Sequence, residues 1–166
     1  MQISLTVWAK QNEKHEYLPH THFYLRHIIQ VMANTEVMEA MQVQATSFMD
    51  NFLQLYYDTF QGNRANLAGI FDENVSIFSF EGSRCVGRES IMKKLTGLPF
   101  KSLAFNITTT DSHPTVDNAY ISMVVGQLKT DDDPPHGFSQ VFHVKNSPNG
   151  NPILLNSSFR LALHSQ

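Results

Sequence analysis

Residues 120–145 read YISMVVGQLKTDDDPPHGFSQVFHVK, and this stretch predicts a β-hairpin. Residues 120–129 form the predicted outgoing strand and residues 138–145 the return strand. Between them, residues 131–135 hold three aspartates followed by two prolines, a composition typical of an exposed turn. The rest of the chain can be placed around this hairpin.

The outgoing strand carries apolar side chains on both of its faces. Ile121, Met123 and Val125 point one way, whereas Val124 and Leu128 point the other way. That pattern favours a strand that is covered on both sides.

The acidic turn must remain in water, because adjacent buried carboxylates would each lose several kcal/mol of hydration. Asp131, Asp132 and Asp133 therefore predict a concentrated negative charge at one rim of a rigid sheet.

Composition places the chain among compact single domains. It has 166 residues, 42% of them apolar, and a formal net charge of −3. This balance indicates a real core and gives no general attraction to nucleic acid. The single cysteine, Cys85, excludes an intramolecular disulfide and favours a reducing compartment. No apolar run approaches the ~18 residues that span a bilayer, and residues 1–10 show no export signal, so we expect no membrane insertion.

Residues 1–40 differ from the remainder and predict an N-terminal extension, or a start codon placed upstream of the true one, with the folded domain at residues 41–166. We expect Pro19 to break any early helix and residues 25–32 to form a helical turn or two. His20 and His22 suggest either a metal site or a solvated tail, and since no convergent Cys or carboxylate ligand is evident, we expect no metal and no cofactor.

Three helices are predicted before the hairpin. The first begins at Ser47 as its cap and ends at Gly62, with an apolar stripe that we interpret as core. This stripe comprises Phe48, Phe52, Leu55, Tyr56, Thr59 and Phe60. Residues 63–71 and residues 88–95 give the second and third helices.

Further strands are predicted at residues 75–80, around Cys85, at 105–110 and at 153–164, whereas Asp111 to Pro114 reads as a turn. The order predicts an α+β fold in which helices cover one face of a strongly curved antiparallel sheet. Such a cup has an inside, and its predicted lining is apolar: Phe80, Leu98, Phe100, Leu103, Leu128, Phe138 and Phe159.

Catalytic motifs are scarce. The sequence holds no Gly-rich phosphate loop, no His-Glu-x-x-His pattern and no Gly-x-Ser-x-Gly elbow. One acid/base set remains as an alternative, formed by Tyr56, Tyr57, Asp58, Asp111 and His113. We expect a protein that is not an enzyme.

Glu81 directly follows inward-facing Phe80 at a predicted strand end, as the aspartate turn follows the hairpin strand. An acidic rim around an apolar hole suits a protein partner that inserts one large side chain and flanks it with Lys or Arg. The alternative is a solvated acidic turn without a partner.

From about Met41 to the C-terminus the chain resembles the nuclear transport factor 2 family. The blocks that carry the resemblance are Tyr56-Tyr57, Phe80-Glu81-Gly82, Gly87, Leu98-Pro99-Phe100-Lys101, residues 121–134, Gly137-Phe138 and residues 159–164. Residues 1–40 lie outside the match.

This resemblance implies a cone-shaped fold, also called cystatin-like, and a non-enzymatic carrier. The carrier would bind the GDP form of the small GTPase Ran and return it to the nucleus, so we expect it in cytoplasm and nucleus and at the pore. Carried over by motif, Glu81, Asp131 and Asp133 would pair with basic residues of Ran. A Ran aromatic would enter the cavity lined by Phe80, Leu98, Leu103, Leu128 and Phe138.

The resemblance also implies a homodimer packed through the open sheet faces, and binding of Phe-Gly (FG) repeat nucleoporins. In the family an aromatic residue at the start of the first helix contributes to that second site. Ala45 occupies this position here, and Phe48, one turn later, is the candidate replacement. Two alternatives share the fold: a small-molecule isomerase or dehydratase, and an adaptor subunit of an mRNA export receptor.

Overall fold

The computed structural model describes residues 19–162, with side chains from residue 23 onward. Two α-helices, one 3-10 helix and six strands make up this part of the chain. In order they are α1 (Pro19–Gln61), the 3-10 helix (Arg64–Ile70), β1 (Ile77–Phe80), β2 (Ser83–Val86), α2 (Gly87–Thr96), β3 (Leu103–Pro114), β4 (Ala119–Thr130), β5 (His136–Asn146) and β6 (Pro152–Ala162).

Helix α1 is 43 residues long, and the predicted start at Ser47 was wrong. Pro19 is the first residue of the helix and does not break it. Proline suits this position, because the N–H of the first helical residue makes no hydrogen bond within the helix and proline has none. No Gly or Pro follows until Gly62, so nothing in the sequence interrupts the helix. The predicted end is confirmed, since the amide of Gly62 donates to the carbonyl oxygen of Asp58 at 3.0 Å.

The sheet has the order β2-β1-β6-β5-β4-β3. All neighbouring pairs are antiparallel except β1 and β6, which run parallel. The register shifts between Ile107 and Thr109 and between His143 and Val144, and such bulges bend a strand. Beside the first bulge, a Cβ at Gly126 would lie 2.5 Å from the carbonyl oxygen of Asn106, so glycine permits that close approach.

Residues Asp111 to Pro114, predicted as a turn, belong to β3. They pair with Met123 to Tyr120 of β4, so a long-range partner holds extended a segment whose composition favours a turn. The actual reversal lies at residues 115–118, where Asp117 and Asn118 have positive φ angles of 60° and 55°.

Strand β4 separates its faces as predicted, but within the described chain only one face is covered, where cover on both sides was expected. Val124 and Leu128 are buried, whereas Ile121, Met123 and Val125 remain exposed on the opposite face. The buried face packs against the second half of α1, where the rings of Phe48 and of Tyr120 in β4 lie 4.7 Å apart between centroids. The α+β architecture with a curved sheet is therefore confirmed.

The predicted stripe on the first helix is confirmed as core at Phe52, Tyr56 and Phe60. Phe48 and Thr59 are half-buried, and Leu55 is 54% exposed. The buried positions follow an i, i+3, i+4, i+7 pattern in a different phase, and Leu55 falls outside it. The side chains that helix α1 buries in the core are Ala45, Met49, Phe52, Leu53, Tyr56, Tyr57 and Phe60.

Internal contacts divide the chain into two units, Met1–Ala40 and Met41–Gln166. In the described part of the first unit, the helix exposes large apolar side chains, including Phe23 at 72% and Val37 at 58%. Within residues 19–162 no helix combines the length and the hydropathy that crossing a bilayer requires.

Candidate functional site

Glu81 and Gly82 form a two-residue turn between β1 and β2, with φ angles of 49° and 81°. Positive φ at both central residues matches the twist of the flanking strands. The backbone amide of Glu81 donates to the Phe159 carbonyl oxygen at 3.1 Å, and its Oε1 accepts from the Leu161 amide at 2.5 Å. Two hydrogen bonds to β6 thus fix Glu81 at the sheet rim.

Asp131 lies at the start of the hairpin turn and binds the loop after α2. Its Oδ1 accepts from the backbone amides of Lys101 and Ser102 at 3.0 and 2.8 Å and from the Ser102 hydroxyl at 3.2 Å. The hydrogen bond from the Ser102 amide, with further help from Lys101, lowers the pKa of the Asp131 carboxyl. Asp131 is therefore ionised at neutral pH and has a positioning role as well as a charge.

Asp133 closes the same turn. Its amide donates to the carbonyl oxygen of Thr130 at 2.9 Å, and its Oδ2 accepts from the Thr130 hydroxyl at 3.2 Å. Each of the three predicted rim carboxylates, Glu81, Asp131 and Asp133, accepts hydrogen bonds through one of its two oxygens from residues in the described range. None of them forms an ion pair with a residue in the described range.

The apolar part of the site contains a row of stacked rings. Phe80 and Phe159 lie 4.9 Å apart and nearly parallel, and Phe159 lies 5.4 Å from Phe138. Phe138 and Phe159 are buried, whereas Phe80 is half-buried at the end of the row nearest Glu81. Leu128, two residues before Thr130, is buried in the same core cluster.

Arg64 orders the loop that carries Leu98 and Phe100. Its guanidinium donates to the carbonyl oxygens of Leu98 and Phe100 at 3.4 and 2.9 Å and lies 4.6 Å from the centroid of the Phe100 ring. Leu98, Phe100 and Leu103 are half-buried, so they leave apolar surface accessible beside the rings. The sequence reasoning missed Arg64, whose role depends on contacts some 30 residues away.

Lys94 of α2 adds a cation that sequence reasoning also missed. Its Nζ lies 5.4 Å from the centroid of the Phe80 ring. A cation over a ring face is attracted to the ring's quadrupole, so Lys94 shields the half-exposed ring from water.

Of the alternative acid/base set, the structure joins Tyr56 and Tyr57 through Gln140, whereas Asp58, Asp111 and His113 are exposed. Tyr57 donates its hydroxyl to Gln140 Oε1 at 3.1 Å, and Gln140 Nε2 donates to the Tyr56 hydroxyl at 3.0 Å. Desolvation by burial raises the pKa of both phenols, so they stay protonated. His113 instead contacts Gln42, with 3.2 Å between His113 Nδ1 and Gln42 Oε1, and is exposed.

Gln140 is the third residue that the sequence reasoning missed. It is 1% exposed, and its Nε2 also donates to Ser157 Oγ at 2.9 Å. The signal was present, because a glutamine interrupts the apolar alternation of Phe138, Phe142 and Val144.

Phe48, the candidate for the second binding site, is half-buried and lies 4.7 Å from the Tyr120 ring. Ala45 is completely buried in the core. An alanine at that position thus offers no surface to a ligand, whereas Phe48 keeps part of its ring accessible.

No cluster of three His, Cys, Asp or Glu side chains that could hold a metal occurs within the residues that were described. The side chains of His20 and His22 lie outside the described residues.

Comparison with known families gives one match. The model of the Nuclear transport factor 2 (NTF2) domain matches residues 48–161. Nuclear transport factor 2 of Neurospora crassa is 36% identical over 74% of this chain and 99% of its own length. The protein of the same name from Schizosaccharomyces pombe is 41% identical over 66% of this chain and 89% of its own.

Solved structures agree. The structure of nuclear transport factor 2 from Cryptosporidium parvum superposes with a TM-score of 0.70 and 36% identity, covering 73% of this chain and 97% of that one. A putative scytalone dehydratase from Novosphingobium aromaticivorans gives a TM-score of 0.64 at 14% identity over 78% of this chain and 94% of that one, a likeness of fold alone.

Proposed function

The chain belongs to the nuclear transport factor 2 family, whose members have a nuclear transport role, and we propose that it carries the GDP form of the small GTPase Ran. In this proposal it binds Ran-GDP at the acidic rim, passes the pore by contacting FG-repeat nucleoporins, concentrates at the nuclear envelope and releases Ran in the nucleus. Its own domain for this task is residues 41–166, and residues 1–40 are an extension.

One observation carries the proposal: three carboxylates without an ion-pair partner in the described chain lie at the same end of the sheet as a half-buried aromatic ring. Glu81, Asp131 and Asp133 each accept hydrogen bonds through one of their two oxygens, and Phe80 lies directly before Glu81. A partner that inserts an aromatic side chain among these rings and brings lysine or arginine to the carboxylates satisfies both features.

Selectivity for one nucleotide state has a physical cause. Contacts of the γ-phosphate and Mg²⁺ hold the switch loops of a small GTPase in one arrangement, and their loss releases the loops. The rim is rigid, because backbone amides hold the carboxylates of Glu81 and Asp131 and the Thr130 hydroxyl holds that of Asp133, so it cannot follow that rearrangement. It therefore binds the one state that presents the aromatic and the cations together.

The homodimer and the nucleoporin contact belong to the same proposal. Ile121, Met123 and Val125 leave a contiguous apolar surface on the face opposite the helices, a feature that favours association. Phe48, accessible beside Tyr120, is the proposed aromatic contact for the Phe-Gly repeats.

The experiment reverses the charge at the rim. We expect Glu81→Lys to weaken Ran-GDP binding by at least about 2–5 kcal/mol, because it places like charges together in a desolvated interface. Glu81→Gln keeps an oxygen for the Leu161 amide and removes only the charge, so it should cause a smaller loss with an unchanged fold.

Asp117→Lys is the matched control. It changes the net charge equally, but it lies in the turn between β3 and β4, at the other end of the twelve-residue strand β4 from the rim. Binding measured by calorimetry should be unaffected by Asp117→Lys. Equal losses in both variants would reduce the effect to net charge and refute the proposed site.

A further inference from the structure

The open face of the sheet carries a row of side chains that runs from one edge to the other. Strand register places Arg84 of β2 beside Ser79, then Ser158, Val141, Met123 and finally Asp111 of β3. The row thus has an arginine at one end and an aspartate at the other. Both charged residues are exposed, and neither has a hydrogen bond or an ion pair within the described range.

A second copy of this chain can cover this face about a two-fold axis that lies between the two sheets, and two directions of that axis align the strands of both copies. A two-fold axis along the strands, between β5 and β6, places the β2 edge of one copy over the β3 edge of the other. An axis across the strands instead places each strand over its own copy. Both are isologous arrangements, in which a contact made by one copy is repeated by the other.

The charges distinguish the two arrangements. With the axis across the strands and through this row, Arg84 meets the Arg84 side chain of the other copy, and Asp111 meets Asp111. With the axis along the strands, Arg84 of each copy meets Asp111 of the other, which gives two opposite-charge contacts. Stacked sheets lie about 10 Å apart, a gap that an arginine and an aspartate side chain can bridge together.

We propose that Arg84 and Asp111 form a reciprocal ion pair between two copies of this chain and so set the two-fold axis along the strands. This inference rests on the proposed homodimer and adds its geometry. The ion pairs lie at the edges of the apolar contact. The charges determine how the two copies align, whereas the buried apolar area supplies most of the affinity.

The neighbouring row fits the same arrangement. Register places Val86, Ile77, Asn156, His143, Ile121 and His113 in order across the sheet. The axis along the strands sets Ile77 over Ile121 of the other copy and Asn156 over His143. The isoleucines then meet each other, and Val86 lies over His113 at the edge of the sheet. Asn156 and His143 already contact each other within one copy, with 3.4 Å between Nδ2 and Nδ1. Arg160 lies one row closer to the rim and pairs with Ser139 within its own sheet. The axis along the strands therefore sets Arg160 over Ser139 of the other copy, so it meets no like charge.

Neutralising one charge tests the proposal by the sign of its effect. For Arg84→Gln we expect the dimer dissociation constant, measured by sedimentation at low salt, to rise about two- to thirty-fold, the loss of two exposed ion pairs. The alternative axis predicts tighter association, since the variant would relieve a repulsion. Arg84→Glu should weaken the dimer further, and combining it with Asp111→Arg should restore it. At 1 M salt the differences should vanish.

Chemical crosslinking gives an independent readout. In Arg84→Lys, a carbodiimide should join the new amine to Asp111 of the other copy, and mass spectrometry of the covalent dimer should find the peptides of residues 84 and 111 linked. Asp111→Asn added to this variant should abolish the link. If the dimer lacks the crosslink and Arg84→Gln leaves it unaffected or tightens it, the proposed ion pair is refuted and the homodimer is not. If the wild-type protein is a monomer, the proposed homodimer is refuted as well.

Discussion

Gln140 connects helix α1 to the middle of the sheet, and its replacement by leucine gives a quantitative test of the fold. The side chain is 1% exposed and makes three hydrogen bonds: it accepts from Tyr57 and donates to Tyr56 and Ser157. Leucine has a similar volume, so Gln140→Leu removes these bonds without opening a cavity.

The expected cost follows from the three bonds. A buried hydrogen bond contributes about 1 kcal/mol net, and a buried donor left without an acceptor costs about 1–3 kcal/mol, so Gln140→Leu should lose about 3 kcal/mol after the gain from leucine's apolar surface. For a protein of this size that loss lowers the Tm by about 6–12 °C. The assay is thermal unfolding at a fixed protein concentration, since association would shift the Tm.

Gln54→Leu, at an exposed position on the same helix, is the matched control and should change stability by no more than about 0.5 kcal/mol. Adding Tyr57→Phe to Gln140→Leu should cost less than the sum of the two single changes, because the unpaired hydroxyl disappears. A Tm for Gln140→Leu within 2 °C of wild type, by this estimate, would refute the inference that the network stabilises the helix on the sheet.

Three further predictions follow from the described contacts. Burial raises the pKa of Tyr56 and Tyr57, so the free energy of unfolding should be independent of these phenols below pH 10 and should fall above pH 10 by up to about 2.7 kcal/mol per pH unit. Tyr57→Phe should reduce that slope, and phenolate absorbance that appears before unfolding would contradict the prediction. Asp131→Asn with Asp133→Asn should weaken Ran-GDP binding and flatten its salt dependence, because the amide oxygen keeps the Ser102 contact while the charge is lost; unchanged affinity at low salt would make the turn a solvated loop. Phe48→Ala should abolish binding of a Phe-Gly repeat peptide, monitored by chemical shift changes, and retained binding would place that site elsewhere.

Local pattern was sufficient where one face of a segment meets the core. The alternation in β4, the prolines of the acidic turn and the spacing of α2 predicted those elements, since the side-chain period directly reports which face is buried. The family resemblance was confirmed by the family match and by a solved structure. It too could be read from local sequence, because the blocks that carry it lie mostly at strand ends and turns.

Local pattern failed where a distant partner decides the outcome. Asp111 to Pro114 extend β3 because β4 pairs with them, and Leu55 faces outward because the sheet sets the phase of the helix. The start of α1 was placed too late, since a serine resembling a cap carries no information about the residues before it. Arg64 and Gln140 act through contacts remote in sequence, so their roles become visible only in the folded chain.

We expect the rim of Glu81, Asp131 and Asp133 to bind Ran in one nucleotide state. A calorimetric titration of the wild-type protein with Ran loaded with GDP and, in parallel, with a non-hydrolysable GTP analogue tests this expectation. The GDP form alone should show saturable binding. Binding of both forms with equal affinity, or of neither, would contradict it.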